Sequence, residues 1–218
     1  MSDKWVILCD FDGTITFDET FVAILTRFAP VLASELIPQM YDLTLTLKEG
    51  VRRIMESIES VHYPEMLEMI SAAPIRKGFF EMLGGLAACH IPFLIVTGGV
   101  SEFVRAALKG VPEGVSSIYG MTVDHSGPFL KISSDLESES ELVAKVRLLD
   151  QFPGSRFICI GDSVTDLQLA LRCDIVFSRG RLSSYLEDRK IDFFPFENFF
   201  DIARILDRII CQPSLEIS

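Results

Sequence analysis

Residues 5–16 read "WVILCDFDGTIT", so an apolar run leads straight into Asp10 and Asp12, followed by Gly13 and Thr14. In extended chain, residues i and i+2 point to the same side, with Cα atoms roughly 6.6 Å apart. Both carboxylates can therefore face one small site, and Gly13 permits a sharp departure from it. Two other stretches end in a similar way. "IVTGG" (95–99) presents the Thr97 hydroxyl with the amides of Gly98 and Gly99, and "CIGDSVTD" (159–166) presents Asp162 and Asp166. Carboxylates gathered at one edge repel one another. At roughly 4 Å and an effective dielectric near 20, each pair costs about 4 kcal/mol. A cation relieves that cost, and an all-oxygen donor set favours Mg2+, which suits phosphate chemistry. Taken singly, "DFDG" reads as a turn, "TGG" as a loop and Asp162 as a helix N-cap. Their joint placement at successive strand ends is what those single readings leave unexplained.

The elements that must position these residues follow from the hydrophobic pattern. Residues 5–9, 91–99, 155–162 and 173–178 are apolar runs without alternation, and 116–123 is a weaker one. Such runs mark parallel strands covered on both faces. Helical patterns at 76–89, 101–109, 139–150 and 166–172 supply crossovers, and 183–189 and 198–211 read as C-terminal helices. The pattern predicts an α/β, Rossmann-like parallel sheet, whose ligands bind beyond the carboxyl ends of the strands. The first strand and "VTGG" lie much further apart than one crossover needs. Residues 20–72 look helical throughout, which predicts a small helical cap over 18–75 inserted after the first strand. The core then comprises 1–17 and 76–218.

Composition narrows the partners. The chain has 218 residues, 49% of them hydrophobic, and a formal net charge of −11. It contains no lysine- or arginine-rich block, so neither nucleic acid nor an anionic membrane surface is expected as a partner. The three histidines lack metal-ligand spacing. Five scattered cysteines at 9, 89, 159, 173 and 211 fit a reducing compartment, with 9, 159 and 173 read as buried. "MSDKW" carries no signal-peptide pattern, and the most membrane-like stretch, 78–100, is broken by Glu81, His90 and Pro92. A cytoplasmic protein is expected.

"DFDGTIT", "VTGG" and "GDSVTD", in that order, resemble the haloacid dehalogenase superfamily of phosphatases. The resemblance spans residues 5 to about 180, and the helical insertion falls where one subclass carries its cap. It implies an Mg2+-dependent phosphatase of a small phosphorylated metabolite. Asp10 would attack phosphorus and Asp12 would act as acid and base. Thr97, Gly98, Gly99 and a lysine would hold the phosphoryl oxygens. Lys145 is the best-placed lysine and Lys131 its rival. The Asp10 carboxylate, the Asp12 carbonyl and Asp162 would bind the metal, with Asp166 on Lys145 or on a metal-bound water. Within the superfamily, "FAP", "LKEGV" and "GDSVTD" are similar to the methionine-salvage branch. Glu19 looks like the phosphoserine branch, in which a Glu contacts the substrate's amino group and a cap arginine, here Arg52 or Arg53, its carboxylate. The longer stretches favour the first branch. Two other classes are weighed. A receiver-type signalling domain lacks both the "DFDGT" spacing and a large cap. A silent binding member would be expected to have lost some of these positions, and all are intact.

Overall fold

The computed structural model describes residues 4–210. Among them, seven strands form one sheet: β1 (Trp5–Cys9), β2 (Phe93–Val100), β3 (Val115–Asp124), β4 (Lys131–Ser133), β5 (Arg156–Gly161), β6 (Ile175–Ser178) and β7 (Phe194–Pro195). Their order is β4-β3-β2-β1-β5-β6-β7, and only the β3–β4 pair is antiparallel. β1 is central and buried at every residue, as an unalternating Val/Ile/Leu run must be when helices cover both faces. Its register sets Cys9 beside Ile95 and Ile160. The chain segments after β1, β2 and β5 thus emerge at one edge of the sheet.

The crossovers are short. α5 (Phe79–Ala88) leads into β2, and α6 (Ser101–Ala107) follows it. α7 (Leu167–Ala170) precedes β6, and α8 (Gly180–Asp188) follows it. α9 (Phe199–Ile210) closes the described chain against α5, where the Phe79 and Phe199 rings meet edge-on at 5.2 Å. The helix expected over 139–150 is not formed. Leu142, Val143 and Ala144 are consecutive buried residues, which no single helix face accommodates, and only a 3₁₀ turn follows at Lys145–Gln151. The pattern did not announce β4 or β7, which are edge strands of three and two residues. Cys9 and Cys159 are buried, whereas Cys173 is only half-buried.

Between β1 and β2 the chain forms α1 (Thr20–Phe28), α2 (Pro30–Tyr41), α3 (Leu47–Met55) and α4 (Tyr63–Ser71). α3 begins on a true cap, with the Thr46 hydroxyl accepting from Glu49 N. The glycine of "LKEGV" has a packing reason. A Cβ on Gly50 would lie 2.3 Å from Met40 Sδ, so the missing side chain lets α3 close onto α2. The two ends of this helical insertion meet. Thr16 and Ile75 form an antiparallel bridge, flanked by Phe17 N donating to Pro74 O (2.9 Å) and Arg76 N donating to Ile15 O (2.8 Å). The helices also bind the β3–β4 hairpin through Ser60 N to Pro128 O and Leu130 N to Ile58 O, each 3.0 Å.

Candidate active site

Asp10 directly follows β1, and its amide donates to Ile160 O at 2.8 Å, which anchors it to the neighbouring strand. Gly13 then turns the chain with φ +79°, and a Cβ there would lie 2.4 Å from Asp162 Oδ2. Glycine is therefore required twice over, by the backbone angle and by the approach of Asp162. The rest of the turn is held from behind. Phe11 O accepts the amides of Thr14, Ile15 and Thr16, and Thr14 Oγ1 donates to Asp162 Oδ1 at 3.2 Å.

Lys145 is buried and bridges two carboxylates. Its ammonium donates to Asp10 Oδ1 and, at 2.7 Å, to Asp166 Oδ1. Burial alone would lower its pKa, but the charges of Asp10 and Asp166 prevail and hold it above the usual lysine value. The other oxygen of Asp166 accepts from Asp162 N (3.1 Å) and Ser163 N (3.2 Å). Ser163 and Asp166 form a capping box at the turn that opens α7, so "SVTD" builds the loop as well as the charge. Lys131, the rival lysine, lies on β4, exposed.

The acids are under electrostatic load. Oxygens of Asp10, Asp162 and Asp166 lie within 4.8 Å of one another, all three residues being buried. Burial, then the Asp166 charge, push Asp10 up to about 7 against the pull of Lys145. Burial, then Asp10 and Asp166, push Asp162 well above the usual carboxylate range. The donor to Asp162 in this cluster is a single hydroxyl, from Thr14. A buried, under-compensated carboxylate beside another is a fitting place for a hard cation.

Asp12 is held differently. Its Oδ1 accepts from the Thr20 hydroxyl and from Phe21 N (2.8 Å), at the start of α1. Burial pushes it up to about 6, partly offset by those two bonds. The second carboxylate of "DFDG" is thus moored to the inserted helices.

A cavity opens over this edge. Asp10, Asp12, Thr97, Gly98 and Gly99 line its floor, and Phe21, Val22, Leu25, Ile37, Met40 and Leu47 its apolar wall. Thr97 Oγ1 accepts from Gly99 N at 2.9 Å. Glu19 also lines the cavity, but its carboxylate accepts from Tyr41 (2.8 Å) and pairs with Arg181 (2.7 Å). Arg52 is not brought to the cavity. Its guanidinium binds Glu56, Glu137 and Ile132 O instead, tying α3 to the segment after β4.

Sequence reading missed Arg76. It is 3% exposed, and its guanidinium donates to the carbonyls of Gly13 (2.8 Å), Thr14 (2.7 Å), Thr16 (3.0 Å), Phe17 (3.0 Å) and Glu197 (3.3 Å). Five carbonyls and the face of the Phe17 ring, 5.1 Å away, satisfy this buried charge, and four of the carbonyls belong to the turn behind Asp12. The available signal was a lone arginine in the apolar run "APIRKGFF". Arg179 adds a bond to Gly13 O at 3.0 Å.

The pattern of haloacid dehalogenase-like hydrolases matches residues 7–171. The chain belongs to that family. It is 44% identical over 203 residues to a 2-hydroxy-3-keto-5-methylthiopentenyl-1-phosphate phosphatase of Microcystis aeruginosa, covering 92% of this chain and 97% of that one. It is 31% identical to the enzyme of the same name from Bacillus cereus, covering 94% and 96%. Among solved structures, phosphoserine phosphatase from T. onnurineus superposes with a TM-score of 0.72 over 94% of each chain, at 13% identity. A phospho-aspartyl intermediate analogue of phosphoserine phosphatase gives 0.70 over 96% and 100%, at 14% identity. Those structures share the fold of this haloacid dehalogenase-like hydrolase, and the closer sequence relatives carry a different activity in their name. Among the described residues, no helix is long and apolar enough to cross a membrane.

Proposed function

We propose that the protein is an Mg2+-dependent phosphomonoesterase acting on 2-hydroxy-3-keto-5-methylthiopentenyl-1-phosphate, with residues 18–75 as its cap. The observation that carries this reading is the pairing of a carboxylate floor with an apolar wall in one cavity. A phosphate fits the first and an uncharged methylthio tail the second. The relatives named above support the same substrate.

In this reading Asp10 attacks phosphorus, the enolate oxygen leaves, and an aspartyl-phosphate forms. Lys145 fixes one Asp10 oxygen, which leaves the other to attack, and Asp166 holds Lys145 in place. Asp12 gives its proton to the leaving oxygen and then takes one from the water that cleaves the intermediate. Its raised pKa, about 6, favours the first role near neutral pH. Thr97 and the amides of Gly98 and Gly99 bind the phosphoryl oxygens. Asp10, Asp162 and the Asp12 carbonyl would hold Mg2+, which when bound offsets the charge of carboxylates and phosphate. The apolar cap wall excludes water and seats the tail.

Hydrolysis of the enol phosphate and of phosphoserine, compared on one preparation with and without Mg2+, tests the proposal. Efficient, Mg2+-dependent turnover of the enol phosphate is expected. Turnover of phosphoserine alone would overturn it.

A further inference from the structure

Glu19 is the one carboxylate at the cavity that is held by both core and cap. Its Oε1 pairs with Arg181 of α8 at 2.7 Å, and its Oε2 accepts from Tyr41 of α2 at 2.8 Å. The Arg181 guanidinium lies 3.9 Å from the centroid of the Tyr41 ring. Tyr185, one turn along α8, donates its hydroxyl to Tyr41 O at 2.9 Å. Burial, then the Glu19 charge, push the Tyr41 phenol above its ordinary pKa, so it stays a donor. An exposed ion pair alone would be a weak device. Here ring stacking and three side-chain hydrogen bonds fix one arrangement, and both Glu19 oxygens are occupied.

The consequence is electrostatic. A bare Glu19 would add a negative charge to a cavity that already contains Asp10 and Asp12. It would draw in a cationic tail, and its field reaches Asp12 and Asp162. With Arg181 in place the tail end of the cavity is neutral. We propose that Arg181 sets specificity by neutralising Glu19, so that phosphate esters with an ammonium-bearing tail are disfavoured and uncharged tails are accepted. Arg181 acts through Glu19 and is a positioning residue, not a catalytic one. The inference rests on the phosphatase reading.

The test uses binding, so it does not depend on turnover. Calorimetry in Mg2+ compares 2-aminoethylphosphonate with propylphosphonate, probes of similar size whose tails differ in charge. Arg181→Gln should raise the affinity ratio of amino over propyl probe by about five-fold or more, the effect of one uncompensated charge at a half-exposed site. Adding Glu19→Gln should return the ratio to the parent value or below, and Arg181→Lys should keep the parent ratio. An unshifted ratio in Arg181→Gln, a shift that survives Glu19→Gln, or no binding of either probe would overturn the proposal. The two readings fail separately. An unshifted ratio in a protein that hydrolyses the enol phosphate defeats only this inference. A shifted ratio in a protein without turnover defeats only the phosphatase reading.

Discussion

Core and cap meet at one cavity and are built by opposite rules. On the core side Asp10, Thr97 and Asp162 sit at strand ends and are buried, and Asp10 takes its position from a backbone bond to Ile160 O. Charge is dense there and partners are charged: Lys145 lies between Asp10 and Asp166. On the cap side the cavity is lined by side chains on helix faces, such as Val22, Ile37 and Met40, without a buried charge among them. A strand end fixes an atom by covalent geometry and sheet register, which chemistry needs. A helix face offers volume and polarity, which can change without disturbing the strand ends. In the proposed reading, the comparison places rate with the strand ends and selectivity with the inserted helices.

The largest expected effect comes from Asp10→Asn. The change is nearly isosteric and removes a buried charge, so the fold should persist while turnover falls by at least ~10³-fold. Circular dichroism with a steady-state assay checks both halves; near-parent turnover would remove Asp10 as nucleophile. Removing Mg2+ with a chelator should abolish turnover and expose the strain in the acid cluster. Asp10 has its pKa raised from 3.8 to about 7, so the folded state holds a proton in that window that the unfolded chain has released. The melting temperature of the metal-free protein should therefore fall as pH rises through the window, and Mg2+ should flatten the fall. A metal-free melting temperature that rises over the same interval would contradict the assignment.

Arg76→Lys probes the neck between the two regions. Fewer donors for five carbonyls, three of them buried, should lower stability by about 2–4 kcal/mol, read as the denaturant midpoint. It should also lower kcat about ten-fold in the folded fraction, because Asp12 directly precedes the turn that Arg76 holds. An unchanged kcat would make Arg76 purely structural. Ile37→Ala should act on the other side of the comparison. It should raise KM for the methylthio substrate about ten-fold while kcat moves less than about three-fold; the reverse split would place Ile37 with the chemistry. The smallest effect is expected from Arg52→Gln. Its partners are half-exposed, so stability should fall by at most about 1 kcal/mol, with KM unmoved. A clear rise in KM would bring Arg52 back to the substrate.

Legibility in the sequence followed the same division. The β1, β2 and β5 runs were readable because a strand buried on both faces has no polar position to blur it. Asp10, Asp12, Thr97 and Asp162 were readable because each stands where such a run stops. Lys145 could be singled out only by a motif, since the segment before it, Leu142, Val143 and Ala144, is buried but forms no helix. Arginines were the hard case. Arg52, expected near substrate, pairs with Glu137, a partner 85 residues away that no local pattern announces. For the same reason Arg76 and Arg181 were not singled out, since their partners are distant in sequence.

The bridge between Thr16 and Ile75 has a consequence for how such a protein can be altered. The chain leaves the sheet and returns to it through one doorway, a single backbone pairing wide. What is threaded between those two residues contributes no strand to the sheet, and its ties to the rest include the Thr20 and Phe21 bonds to Asp12 and the contacts with the β3–β4 hairpin. The insertion is therefore a cassette. Excising 18–73 outright would take the Thr20 and Phe21 bonds from Asp12, so a replacement must restore a hydroxyl and an amide at that point. A foreign helical module spliced inside the same doorway, with residues 18–21 kept, should give the same chemistry a new choice of substrate.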